Sequence, residues 1–282
     1  MKKIVIIGGG TMGLDVAQCF AGSGFETWVR STSQNSIDRH SAKLASGLEK
    51  QVGRGKMDAA TAAAIQKNLQ FTLELDVCRD AFLVLEAAPE NPDIKKDLFL
   101  QLEQVCTPEV ILASNTSTIP ITKIASFVKT PQRVIGMHFF NPATVMKLVE
   151  VIRAEQTSQE TFEAVRDTAI AIGKEPVEIQ DAPGFVVNRI LIPMINEAVE
   201  LYQAGVASAA DIDRAMTLGA NHPIGPLALG DLIGLDVCLA IMDTLFAETH
   251  DSKYRASATL RKMVNAGKLG RKTGCGFFSY TK

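Results

Sequence analysis

Six residues near the start of the chain, Gly8-Gly9-Gly10-Thr11-Met12-Gly13, follow directly on the apolar run 4–7. Their spacing is Gly-x-Gly-x-x-Gly, a weak signal in isolation. The setting makes it specific. The apolar run reads as a strand, a helical stretch carrying Val16, Ala17 and Phe20 follows, and a second apolar run starts at Thr27. A strand, this turn and a helix within one β-α-β unit form a dinucleotide cradle. Gly8 permits the tight turn, Gly10 lets the backbone approach a pyrophosphate, and Gly13 lets the helix lie close to the strand. The helix start, with Thr11 and Met12, offers backbone N–H groups and a partial positive charge to an anion.

Further apolar runs occupy 82–85, 110–113, 134–137 and 148–152, separated by helical stretches. Several are apolar at nearly every position, as strands buried on both faces are. The pattern predicts an α/β fold: a Rossmann-type, doubly wound, mostly parallel sheet, followed by an all-helical C-terminal domain. The segment 32–68 carries no strand signal and reads as a helical excursion. From about Pro183 helical periodicity takes over. Leu191, Ile195, Ala198, Val199 and Tyr202 form one apolar stripe; Leu235, Cys238, Leu239, Met242, Leu245 and Phe246 form another. The expected domains are 1–184, which binds the dinucleotide, and 185–282, a helical domain for substrate and for homodimerisation.

Composition narrows the function classes. A chain of 282 residues suits two domains, and 46% hydrophobic with 21% charged residues is a globular balance. Lys and Arg number 29 against 31 Asp and Glu, a net charge of −2, so no basic field suits nucleic acid. No window approaches the ~18 apolar residues of a membrane span. The lysines at 2 and 3 precede an apolar run too short for a secretory signal, so the expected location is cytoplasmic. Five cysteines, widely spaced and without a Cys-x-x-Cys, read as free thiols of a reducing compartment, and no metal site is expected.

The second strand ends Val29-Arg30-Ser31-Thr32. A carboxylate at this point would bind the 2′-hydroxyl of NAD and repel a 2′-phosphate. None is present, whereas Arg30, Ser31 and Thr32 could bind a phosphate. The cofactor is therefore NADP(H) or NAD(H), with the local chemistry favouring NADP(H).

His138 follows the apolar run 134–137, outside the carboxyl end of a strand, where open α/β sheets bind ligands. Carbonyl reduction needs a proton donor working near neutral pH, and histidine is the commonest. Glu150, twelve residues on, is the type of group that fixes a histidine tautomer and favours its charged form. Asn115, Thr116 and Ser117 end another apolar run. They suit either hydrogen bonding to a reacting oxygen or helix capping, and composition does not choose between these.

In six segments taken together the sequence resembles the 3-hydroxyacyl-CoA dehydrogenases: IGGGTMG, ILASNTSTIPIT, VIGMHFFNPATVMKLVEVI, DAPGFVVNRILIPMINEA, GANHPIGPLALGDLIGLD and LGRKTGCGFF. The resemblance covers essentially the whole chain. It implies reversible reduction of acetoacetyl-CoA to the (S)-3-hydroxyacyl-CoA, of the kind found in bacterial butyrate fermentation, with substrate held between the domains. By resemblance His138 is the catalytic acid/base and Glu150 its partner, while Ser117 and Asn188 surround the C3 oxygen and thioester. Asn141 would lie near the nicotinamide or substrate; Glu90, Lys95, Asn115 and Lys272 would line the cofactor; Lys50 and Arg54 would meet the coenzyme A phosphates. Two positions depart from the family pattern: Ser31 replaces the usual acidic residue, and Cys275 stands between the last glycines, where a charged residue is common. The competing readings are a Lys-dependent β-hydroxyacid dehydrogenase, disfavoured by the Ser117, His138, Glu150, Asn188 set, and a non-catalytic dinucleotide-binding protein.

Overall fold

The computed structural model describes residues 2–280. The chain divides into two compact units, Met1–Ala182 and Pro183–Lys282.

In the first unit the chain runs β1 (Lys3–Ile7), α1 (Thr11–Gly22), β2 (Glu26–Arg30), α2 (Gln34–Gly53), α3 (Ala59–Asn68), β3 (Leu69–Thr72), β4 (Leu83–Glu86) and α4 (Pro92–Val105). It continues through β5 (Ile111–Ser114), α5 (Ile121–Ala125), β6 (Val134–Phe139), β7 (Leu148–Arg153), α6 (Gln159–Ala171) and β8 (Glu175–Gln180). The eight strands form one sheet in the order β3-β2-β1-β4-β5-β6-β7-β8. All neighbours are parallel except β6 and β7, so the last two strands run against the other six. The Rossmann-type sheet read from the sequence is thus present.

Every residue of β4, β5 and β6 is buried, as a strand covered on both faces requires. Ile4 and Ile6 join one core with Val16, Phe20, Val29 and Leu85, while Val5 and Ile7 are buried on the opposite side of β1. Two strands were not visible as apolar runs. β3 is short and sits at one edge, and the other edge strand, β8, reads Glu-Pro-Val-Glu-Ile-Gln with only Ile179 buried. Edge strands face water and carry polar residues for that reason. Helix starts are set locally: Ser33, Asp58, Asn91 and Ser158 each accept a backbone N–H of the helix they precede.

The second unit is helical: α7 (Val187–Gln203), α8 (Ala209–Gly219), α9 (Pro226–Ile233), α10 (Leu235–Thr249) and α11 (Ala258–Asn265). Its core gathers Ile192, Ile195, Val199, Leu227, Leu235, Cys238, Met242, Leu245 and Leu260. Tyr202 and Phe246 close the two sequence stripes but remain 42% and 39% exposed. Ile192 and Asn196 take buried places on α7, and Tyr202 instead meets the Phe277 ring edge-on at 5.5 Å. Asp213 accepts the Leu227 and Ala228 N–H groups at 2.8 Å each and so caps α9 from outside that helix. No helix among the described residues is long and apolar enough to cross a membrane.

Candidate active site

The glycine turn leaves β1 with Gly8 at φ 111°, a conformation that favours glycine. Gly8 donates to the Arg30 carbonyl at 3.0 Å, which ties the turn to the end of β2. A Cβ on Gly13 would collide with the Gly8 carbonyl oxygen, and one on Gly8 would lie 2.6 Å from that of Ala87. Protein packing thus explains these two glycines. Gly10 is different, since a Cβ there would meet nothing within 4 Å. Glycine at this position keeps the backbone open to a close approach from outside, as a pyrophosphate requires. Gly10 is also the N-cap of α1. It brings no capping oxygen, and no acidic residue occupies the first turn. The helix start is therefore electrostatically suited to an anion. Met12 packs against the core, and the Thr11 hydroxyl accepts Lys43 Nζ at 3.1 Å. These residues fit a dinucleotide.

At the end of β2, Arg30 points its Nε at the Leu73 carbonyl, 3.2 Å away. Ser31 is buried, with its hydroxyl 3.5 Å from His40 Nδ1, and Thr32 is exposed.

The carboxyl ends of β4 and β5 carry a buried polar cluster. Lys95 donates to both oxygens of Glu86, at 2.6 and 2.7 Å. Glu86 also accepts the Ser114 hydroxyl at 2.5 Å and the Ala88 N–H at 2.6 Å. Lys95 reaches Glu90 as well, at 3.2 Å. Glu90 in turn accepts the Ser117 and Thr118 N–H groups at 3.1 and 3.0 Å, together with the hydroxyls of Thr116 and Thr118. Burial acts to raise the Glu90 pKa, but Lys95 and then the Thr116 and Thr118 hydroxyls outweigh it and hold the carboxyl below its ordinary range. The sequence pointed to Glu90 and Lys95; Glu86 was missed. Its signal was a carboxylate closing the apolar run Leu83–Glu86, which is costly to bury without a cation. Through this cluster the turn bearing Ser117 is fixed to the start of α4.

His138 and Glu150 are opposed residues of the antiparallel β6–β7 pair. Their side chains meet with Nδ1 2.7 Å from Oε2, and they are only 4% and 1% exposed. The sequence proposed this meeting, and the register delivers it. Asn115 does not reach outward with its oxygen: it accepts the Phe139 N–H at 2.8 Å and thereby bridges the ends of β5 and β6. The Phe140 ring lies 4.6 Å from the imidazole, and Asn141 is exposed. Lys174 donates to the Ala143 carbonyl and, at 2.8 Å, to that of Met146, fixing the segment between β6 and β7.

Lys50 lies in the last turn of α2 and Arg54 is its C-cap; both are exposed. In the second unit Asn188 sits in the first turn of α7, and Lys272 Nζ pairs with Asp236 at 2.6 Å. Cys275 is half-buried and forms bridges with Gly270 and Ser279.

Comparison with known proteins decides the family. The family model described as 3-hydroxyacyl-CoA dehydrogenase, NAD binding domain, matches residues 3–182, and the 3-hydroxyacyl-CoA dehydrogenase C-terminal domain matches residues 184–280. The chain belongs to the 3-hydroxyacyl-CoA dehydrogenase family. As a member it is an oxidoreductase with an NAD-binding domain. The chain is 52% identical to the 3-hydroxybutyryl-CoA dehydrogenase of Clostridioides difficile over 280 residues, covering 99% of this chain and 100% of that protein. It is 50% identical to the probable 3-hydroxybutyryl-CoA dehydrogenase of Deinococcus radiodurans over 278 residues, covering 99% and 100%. Among solved dehydrogenases it is similar to the (S)-3-hydroxybutyryl-CoA dehydrogenase PaaH1 of Ralstonia eutropha, with TM-score 0.95, 44% identity and full coverage of both chains.

Proposed function

We propose that this dehydrogenase reversibly reduces acetoacetyl-CoA to (S)-3-hydroxybutyryl-CoA, in four-carbon acyl-CoA metabolism of the butyrate type. The observation that carries the reading is the buried His138–Glu150 pair at the carboxyl edge of a dinucleotide-binding sheet. A reduced nicotinamide, when bound, supplies hydride to C3 of the substrate. The remaining chemistry belongs to the chain. His138 exchanges a proton with the C3 oxygen through Nε2, the ring nitrogen on the far side from Glu150. Glu150 holds the tautomer and favours the imidazolium form. Ser117, on a turn clamped by Glu90, and Asn188 orient the acyl group. Lys50 and Arg54 offer exposed cations to the coenzyme A phosphates. The glycine turn with Thr11 and Met12 holds the pyrophosphate; Glu90, Lys95, Asn115, Asn141 and Lys272 belong to the cofactor and substrate surroundings. The preferred dinucleotide is NADP(H), because Ser31 stands where an acidic residue would repel a 2′-phosphate. The helical unit, with Ile190, Val206 and Leu218 at least 67% exposed, forms a homodimer in the cytoplasm.

Initial rates of acetoacetyl-CoA reduction with NADPH and with NADH test the reading. His138→Asn lowers kcat by about 10²–10⁴-fold while cofactor affinity is kept. A near-normal rate in that variant overturns the assignment. Ser31→Asp shifts the kcat/KM ratio towards NADH; an unmoved ratio overturns the NADP(H) reading alone.

A further inference from the structure

We infer that His40 reads the adenosine 2′ position of the dinucleotide, its imidazolium pairing with a 2′-phosphate. The inference rests on the reading that a dinucleotide lies along the glycine turn and that its preferred form carries this phosphate. His40 comes from α2, yet its imidazole lies over the turn: a Cβ on Gly9 would run into His40 Nδ1. The same nitrogen is 3.5 Å from the hydroxyl of Ser31. His40 therefore sits between the exit of β1 and the exit of β2, two adjacent parallel strands. In this fold the group that contacts the adenosine ribose lies at the end of the second strand. Here that residue is a buried serine whose hydroxyl faces His40, so the titratable group beside this position is an imidazole.

The surrounding charges suit a phosphate. Arg39 and Lys43, on the same helix, are the charges that act on His40, and Lys43 also reaches the Thr11 hydroxyl. From the glycine turn His40 meets Gly9; from β2 it meets Ser31. Arg30, the cation of β2, is directed to the Leu73 carbonyl instead. Asp15, on α1, interacts with Lys43. Burial first, then Arg39 and Lys43, hold the imidazole below its ordinary pKa, so it is neutral at neutral pH without ligand. A dianionic phosphate reverses that balance, and binding takes up a proton. NADP(H) affinity then falls as pH rises above the ligand-free His40 pKa, while NAD(H) affinity stays level. The phosphate's own titration near pH ~6 works in the opposite direction, because it gains charge as pH rises. The two effects are thus separable by sign.

The experiment is fluorescence titration of the full-length protein with NADPH and with NADH from mildly acidic to mildly alkaline pH. For wild type, NADPH affinity drops with rising pH by up to about tenfold per pH unit, the limit for one linked proton, and NADH affinity does not. His40→Gln abolishes the slope and lowers the NADPH-to-NADH affinity ratio by about tenfold. His40→Lys keeps the ratio high with no slope, because its charge is permanent. A slope retained in His40→Gln, or wild type binding both dinucleotides alike at every pH, overturns the inference. Neither result touches the acyl-CoA reading, which fails only if acetoacetyl-CoA is not turned over.

Discussion

Lys95 holds its ammonium between both carboxylate oxygens of Glu86, and neither side chain is more than 1% exposed. Removing one member strands the other charge away from water, which costs about 3–5 kcal/mol. Lys95→Met is expected to destabilise the protein by that amount. Adding Glu86→Gln to Lys95→Met removes the stranded charge; the amide oxygen still accepts the Ala88 N–H, and its NH2 group takes the place of the oxygen facing Ser114, whose hydroxyl oxygen can accept from it. The double variant should therefore be more stable than Lys95→Met alone. Urea unfolding of the two variants checks this; a double variant weaker than Lys95→Met removes the charge-pair account.

Glu90 gives a pH-dependent signature. Its folded pKa lies below the ordinary 4.5, so its carboxylate contributes stability that is present above that value and lost as pH falls through the folded one. Wild type should exceed Glu90→Gln in stability near neutral pH, and the gap should close on acidification below about 4.5. Urea midpoints of both proteins across this range are the measurement. A gap that widens in acid contradicts the assignment. Glu90→Gln should also loosen the Ser117 turn and raise KM for substrate.

The carboxyl-terminal segment hangs on Asp231. This buried carboxylate of α9 accepts the N–H groups of Phe277 and Phe278 and the hydroxyl of Tyr280, each at 3.0 Å. Gly276 passes so close that a Cβ would strike it. Asp231→Ala should cost about 1.5–3 kcal/mol and expose the Phe277–Phe278 bond to proteolysis. Tyr280→Phe, which removes one contact, should cost about 1 kcal/mol and leave the segment protected. Equal protease sensitivity of Asp231→Ala and wild type would show that the segment is held elsewhere.

What could be read before folding was whatever local pattern dictates. Apolar runs marked the buried strands, and the glycine turn marked the start of α1. His138 stood out because it follows an apolar run at the sheet edge where open α/β folds bind ligands, and Glu150 because a carboxylate beside a histidine fixes its tautomer. Glu86 has the same signature but resembled a strand end. The resemblance singled out Lys95 as a residue lining the cofactor, but its burial against Glu86 depends on the path of the chain between β4 and α4. His40 gave no signal, since its contacts with Gly9 and Ser31 depend on how α2 returns across the turn. The N–H donors to Asp231 lie more than forty positions further along, a pairing that no periodicity encodes.

The reversal of strand direction at β7 has a consequence for how the protein is made. His138 and Glu150 are twelve positions apart and occupy one rung of an antiparallel ladder. Closing so short a loop has a small entropic cost. The strands on either side of that rung, β5 and β8, both precede Ala182. Because domains fold as units during synthesis, amino-terminal first, the His138–Glu150 contact can be formed and buried while the helical unit is still being translated.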